Sequence, residues 1–138
     1  MITQTTPYGI STVVPLPYET AVQRTREALA GQGFGVLTEI DVAATLQKKI
    51  GATFRPYVIL GACNPPLAHQ ALTAELDIGL LLPCNVIVYA GDAPGTSVVA
   101  AMDPVAALSL TGRSDIRDLA VQVRGRLEAA LATLPSSA

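Results

Sequence analysis

Both cysteines, the single histidine and two asparagines that interrupt apolar runs lie within one stretch, Arg55 to Tyr89. Cys63 precedes Asn64-Pro65, a pair that starts helices. An asparagine side chain takes an orphan N–H of the first turn. Proline at the first helical position has a pre-set φ and loses no hydrogen bond there. Cys63 is therefore expected at a helix mouth, where the dipole and free N–H groups favour a thiolate, the reactive form. The competing reading is a small buried side chain packed between strand and helix.

Cys84 is also followed by an asparagine, Asn85, and begins another apolar run. If the two segments are neighbours, the thiols could approach each other, and a disulfide needs Cα atoms within about 7 Å. A zinc site usually wants four ligands with tight local pairs such as C-x-x-C, and no such pair occurs here. His69 falls one turn into the expected helix. It could act as a base or an axial ligand, or simply flank the helix half exposed. A Cys63–His69 nucleophile pair needs hydrogen-bond reach, which this spacing makes doubtful. The helix start at Asn64 is also a potential anion site, although Pro66 donates no N–H and leaves Leu67 and Ala68 as donors. Asn85 must find partners inside its apolar run, and the Asn64 corner is the expected one. No Ser–His–Asp order and no close carboxylate pair stand out, so no catalytic constellation is identified. Gly91 to Gly95 is too short and wrongly ordered for a phosphate loop.

The elements that must position these residues can be read in order. Tyr8–Val14 is an expected strand and Tyr18–Ala30 a helix, closed by Gly31 and Gly33. Phe34–Ile40 is a second strand. Asp41 caps a short helix, Val42–Ile50. Tyr57–Leu60 is a strand, with Gly61 and Ala62 allowing close backbone approach. The helix from Pro65 to about Leu76 should bury Ala68, Ala71, Leu72 and Leu76. Cys84–Tyr89 is a strand, and the Gly91–Gly95 turn pairs it with Thr96–Ala101 as an antiparallel hairpin. Val105–Leu110 is a helical turn. The last helix, capped by Ser114 or Asp115, carries Ile116, Leu119, Val123, Leu127, Ala130 and Leu134 on one stripe. Residues 135–138 form an expected disordered tail.

This order gives a single α+β domain: a two-layer sandwich of about five strands, mixed or antiparallel, with helices on one face. The outer hairpin strand is expected at an edge, and homodimerisation would cover it. With 138 residues, half of them hydrophobic and 14% charged, the chain can bury a sizeable core without disulfide or metal. A net charge of −2 gives no basic stripe for nucleic acid. No apolar run reaches a membrane span, and the N-terminus does not read as a signal peptide. Two cysteines without an export signal point to a reducing cytoplasm.

GACNPPLAHQAL, then IGLLLPCNVIVY, then AMDP, resembles the family called domain of unknown function 302, over Tyr8 to about Leu131. The resemblance implies a compact, bacterial-type domain that tends to form homodimers and has no established general activity. Some relatives are similar to haem-carrying proteins. Covalent attachment there uses C-x-x-C-H, which this sequence lacks, leaving only a non-covalent haem through His69 or Met102. Three functions follow as expectations. The first is a binding module holding a small apolar or anionic ligand at Cys63, Asn64, His69, Cys84 and Asn85. The others are a thiol redox protein using Cys63 and Cys84, and a haem binder.

Overall fold

The computed structural model describes residues 2–136. Helix α1 (Tyr18–Ala30) follows Pro17 and carries Glu19 in its first turn, where a negative charge suits the helix dipole. Helix α2 (Val42–Ile50) begins where Ala44 N donates to Asp41 Oδ1 at 2.9 Å, and it ends at Gly51 with φ 66°. In α3 (Pro65–Ala74), Leu67 N donates to the capping Asn64 Oδ1. In α4 (Pro104–Leu108), Val105 N and Ala106 N both donate to Asp103. The long α5 (Ser114–Ala132) differs from expectation at its start. Arg113 occupies the cap position, and Asp115 instead accepts from Ile116 N and pairs with Arg113. Pro135 and Ser136 are described; the rest of the expected tail lies outside the described residues.

The strands are β1 (Thr3–Thr6), β2 (Gly9–Val14), β3 (Gly35–Asp41), β4 (Tyr57–Cys63), β5 (Cys84–Ala90) and β6 (Ser97–Met102). They form one six-stranded antiparallel sheet in the order β1-β2-β6-β5-β4-β3. The expected hairpin is β5–β6, with Val86 opposite Ala101 and Ala90 opposite Ser97. Two expectations are corrected. The sheet has a sixth strand, the polar Thr3–Thr6 segment, which lacks an apolar alternation to announce it. The outer hairpin strand β6 is not an edge, because β2 pairs along its whole length, from Gly9–Met102 to Val14–Ser97.

Strand side chains alternate between two faces. One cross-strand row, Val58–Val88–Val99–Thr12, is buried, as is the next, Leu60–Val86–Ala101–Ile10. Leu29 of α1 and Leu127 of α5 join this core, each fully buried. Burying such an aliphatic side chain contributes about 1.5–3 kcal/mol. A second, separate cluster forms where α3, α4 and α5 meet, around Ala71, Leu108, Ile116 and Ala120. Helix α3 differs from its expected stripe. Leu67 and Ala71 are its buried residues, while Leu76 lies past its end in a 3₁₀ turn (Leu76–Leu81) and is 83% exposed.

Candidate functional site

The two core clusters do not merge. Between them lies a cavity of about 360 Å³ whose wall takes Ala62 and Phe34 from the sheet core and Ala71, Leu108 and Ala120 from the helical one. The Cys63–Asn64 corner, Pro83 and Cys84 close one end. Ala68 and Leu72 of α3, and Leu119 and Val123 of α5, form the sides.

Antiparallel pairing brings the two Cys-Asn segments together. Ala62 stands opposite Cys84, so Cys63 lies one residue further along the neighbouring strand. Both thiols are free, and both line the cavity. Cys84 is buried, and that burial, with Cys63 beside it, pushes its thiol up to about 11. It stays protonated at neutral pH and serves as a weak donor in an apolar wall. Cys63 is half-buried.

The corner is held by close approaches. A Cβ at Gly61 would overlap Thr38 Oγ1 and lie 2.9 Å from Pro83 Cγ. Only glycine lets those two side chains settle over the strand end. Gly33 has φ +82°, and a Cβ there would come within 3.2 Å of Asn64 Nδ2.

The helix mouth offers little to an anion. Pro65 and Pro66 have no N–H. Leu67 N donates to Asn64 Oδ1, and Ala68 N donates to Asn64 O. The first-turn donors are therefore engaged inside the protein.

The five residues singled out in the sequence do not share one wall. Cys63, Asn64 and Cys84 line the cavity. Asn85 lies opposite Gly61, exposed on the other face of the sheet, and does not turn toward the Asn64 corner. It lines a second hollow, of about 390 Å³, with Met102, Tyr8, Tyr57 and Tyr89. His69 is exposed on α3 and borders neither space. His69 and Met102, the two haem-ligand candidates, therefore do not meet. Among the described residues, no group of three or more His, Cys, Asp or Glu side chains could hold a metal ion. Sequence reasoning missed Leu67, Thr38 and Phe34 as lining residues. It placed Leu119 and Val123 on an inward stripe without showing that they face the cysteines.

A model for the domain of unknown function DUF302 matches residues 10–134. This chain belongs to that family. The DUF302 fold is also seen in the crystal structure of an uncharacterised conserved DUF302 protein from Bacillus stearothermophilus. That protein is 30% identical, with a TM-score of 0.83 over 90% of this chain and 95% of that one. No match is found among curated proteins. Among the described residues of this DUF302 chain, no helix is long and apolar enough to cross a membrane.

Proposed function

We propose that this DUF302 domain is a non-enzymatic binding module that takes a small neutral apolar molecule into the seam between its two cores. The observation that carries the reading is the composition of the wall. It is built from aliphatic side chains, Phe34, one amide, one hydroxyl and two thiols, with no charged residue. An apolar cleft of this size with a few polar groups is the usual form of a small-molecule site. The engaged donors at the helix mouth favour a neutral ligand over the anion also considered. Asn64 and Thr38 supply orientation, and Cys63 supplies a half-buried thiol at the end that the corner closes. The two free thiols suit a reducing compartment, so we place the protein in the cytoplasm.

The thiol-redox reading draws less support, since a thiol held near 11 is a poor nucleophile. The haem reading has two candidate ligands that do not meet, since Met102 lines the second hollow and His69 borders neither space.

The test uses a neutral naphthylamine fluorophore with the full chain. Binding should raise its emission and protect Cys63 from alkylation. Ala68→Phe, which puts a ring into the cavity from a half-buried position on α3, should abolish both effects while leaving the fold intact by circular dichroism. Fluorophore binding that survives Ala68→Phe, or no binding by the parent protein, would rule this site out.

A further inference from the structure

The sheet face away from α1 and α5 carries the second hollow, of about 390 Å³. The strand ladders set its floor. Tyr57 stands opposite Tyr89, Tyr89 opposite Val98, and Ile87 opposite Ala100. Thr5 and Thr6 of β1, with Tyr8 in the turn that follows, supply the far side. The short polar strand thus contributes hydroxyls to a concavity. At the other end the rings of Tyr57 and Tyr89 stack at 5.3 Å, only 7° from parallel.

No charged residue lines this space. Arg55 lies over Tyr89, but its guanidinium is engaged by Asp92 and by the Ala90 carbonyl. The Tyr57 phenol is held above its usual value, chiefly by burial and then by Tyr89 and Tyr8, so it stays neutral at pH 7. Two further polar groups are spare. Among the described residues, neither the Asn85 amide nor the Ser11 hydroxyl has a hydrogen-bond partner. Ser11 is only 8% exposed, and a polar group so deeply set is normally bonded. Every fully enclosed side-chain polar atom among the described residues is partnered. The Ser11 oxygen therefore keeps its access through the hollow that it lines.

We infer that this hollow is a second binding site, for a neutral planar heteroaromatic molecule of the nucleobase kind. Its volume falls in the range of small-molecule pockets, as does its mix of apolar floor and few convergent polar groups. An aromatic ring gains contact with the tyrosine pair beyond its burial, whether offset-stacked or edge-on. The Asn85 amide presents a donor and an acceptor side by side, the pattern that pairs with adenine's N6 and N7 edge. The Ser11 hydroxyl adds a group that can donate or accept. A free cation to hold a phosphate or carboxylate is missing from the wall, which selects the base or nucleoside over the nucleotide. The concave form suits a small molecule better than a flat partner surface. The two spaces share no lining residue, so this site stands independently of the core cavity.

The chain has four tyrosines and no tryptophan, and Tyr8, Tyr57 and Tyr89 line this hollow while none lines the core cavity. Tyrosine emission therefore reports on this site alone. The experiment is equilibrium dialysis of the full chain against adenosine, guanosine and lumazine, each up to about 1 mM to cover weak binding, paired with tyrosine emission corrected for probe absorbance. At least one probe should bind and quench the emission. Asn85→Leu should weaken that binding about tenfold, and Ala100→Phe, which fills the floor, should abolish it, both with the parent's circular dichroism. Ala68→Phe should leave it unchanged, and the probe should not displace the naphthylamine fluorophore from the core cavity. Those two controls separate failure of this site from failure of the other. Absence of binding by all three probes overturns the inference. So does binding without a change in tyrosine emission, or binding that folded Ala100→Phe retains in full.

Discussion

Cys84 stands directly opposite Ala62 in the β4–β5 ladder, and this one register position sets its thiol beside Cys63 at the end of the cavity. The chemistry of the pair follows from that neighbourhood. Burial and the adjacent thiol both work against a negative charge on Cys84.

The first prediction concerns pH. Folding raises the Cys84 thiol from an ordinary 9.0 to about 11. Between those values the unfolded chain has lost a proton that the folded chain keeps, so stability falls as pH rises. The contribution is complete below about pH 9 and is lost by about pH 11, a change of about 2–3 kcal/mol. Tyr57 and Tyr18 are also held above the usual tyrosine value, chiefly by burial, and push the same way at higher pH. Urea midpoints of the parent and of Cys84→Ala should therefore converge as pH rises from 8 to 11. Parallel curves would show that Cys84 is not the group responsible.

Thiol accessibility gives a second prediction. Cys63 is half-buried and Cys84 is 7% exposed. Iodoacetamide on the native protein should label Cys63 and spare Cys84, and both should react in urea. Peptide mass mapping reads this directly, and native labelling of Cys84 first would contradict the geometry.

A third concerns Gly61. Its absent Cβ would overlap Thr38 Oγ1 and press on Pro83 Cγ. Gly61→Ala should cost about 1–3 kcal/mol through overpacking. Adding Thr38→Ala should recover part of the loss, because one of the two clashes disappears. Independent, additive costs would mean the two side chains do not share that space.

Asp103 supports the fourth. It is 2% exposed, caps α4 through two backbone N–H groups, and pairs with Arg124 Nη1 at 3.0 Å. Asp103→Ala removes cap and ion pair together and should cost about 2–3 kcal/mol. Asp103→Asn keeps a capping oxygen and should cost clearly less. Equal unfolding midpoints for the two variants would leave the cap without energetic weight.

Much of the local structure was legible because its causes are local. Asn64-Pro65 starts α3 through an N–H only three residues away, and Asp41 does the same for α2. The β5–β6 hairpin follows from two apolar runs joined by a short turn. The inward stripe of α5 follows from helical period alone, since Ile116, Leu127 and Ala130 are each buried. Gly61 could be marked as a point of close approach, although not what approaches it.

Four features were beyond that reach. Leu76 has the right spacing for the α3 stripe, but the helix ends at Ala74 and the chain turns away. β1 has no alternating pattern and exists because β2 offers it an edge. β6 is interior because Gly9–Val14, more than 80 residues earlier in the chain, adds along it. Asn64 and Asn85, each following a cysteine, go to different faces of the sheet.

Taken alone, the chain's residue order determined where helices start, which residues alternate and where two thiols sit in number. The tertiary structure decided the strand order, the faces and the cavity. Capping and periodicity act within a turn or a strand, whereas strand neighbours and the seam between two cores depend on contacts between segments that share no local pattern.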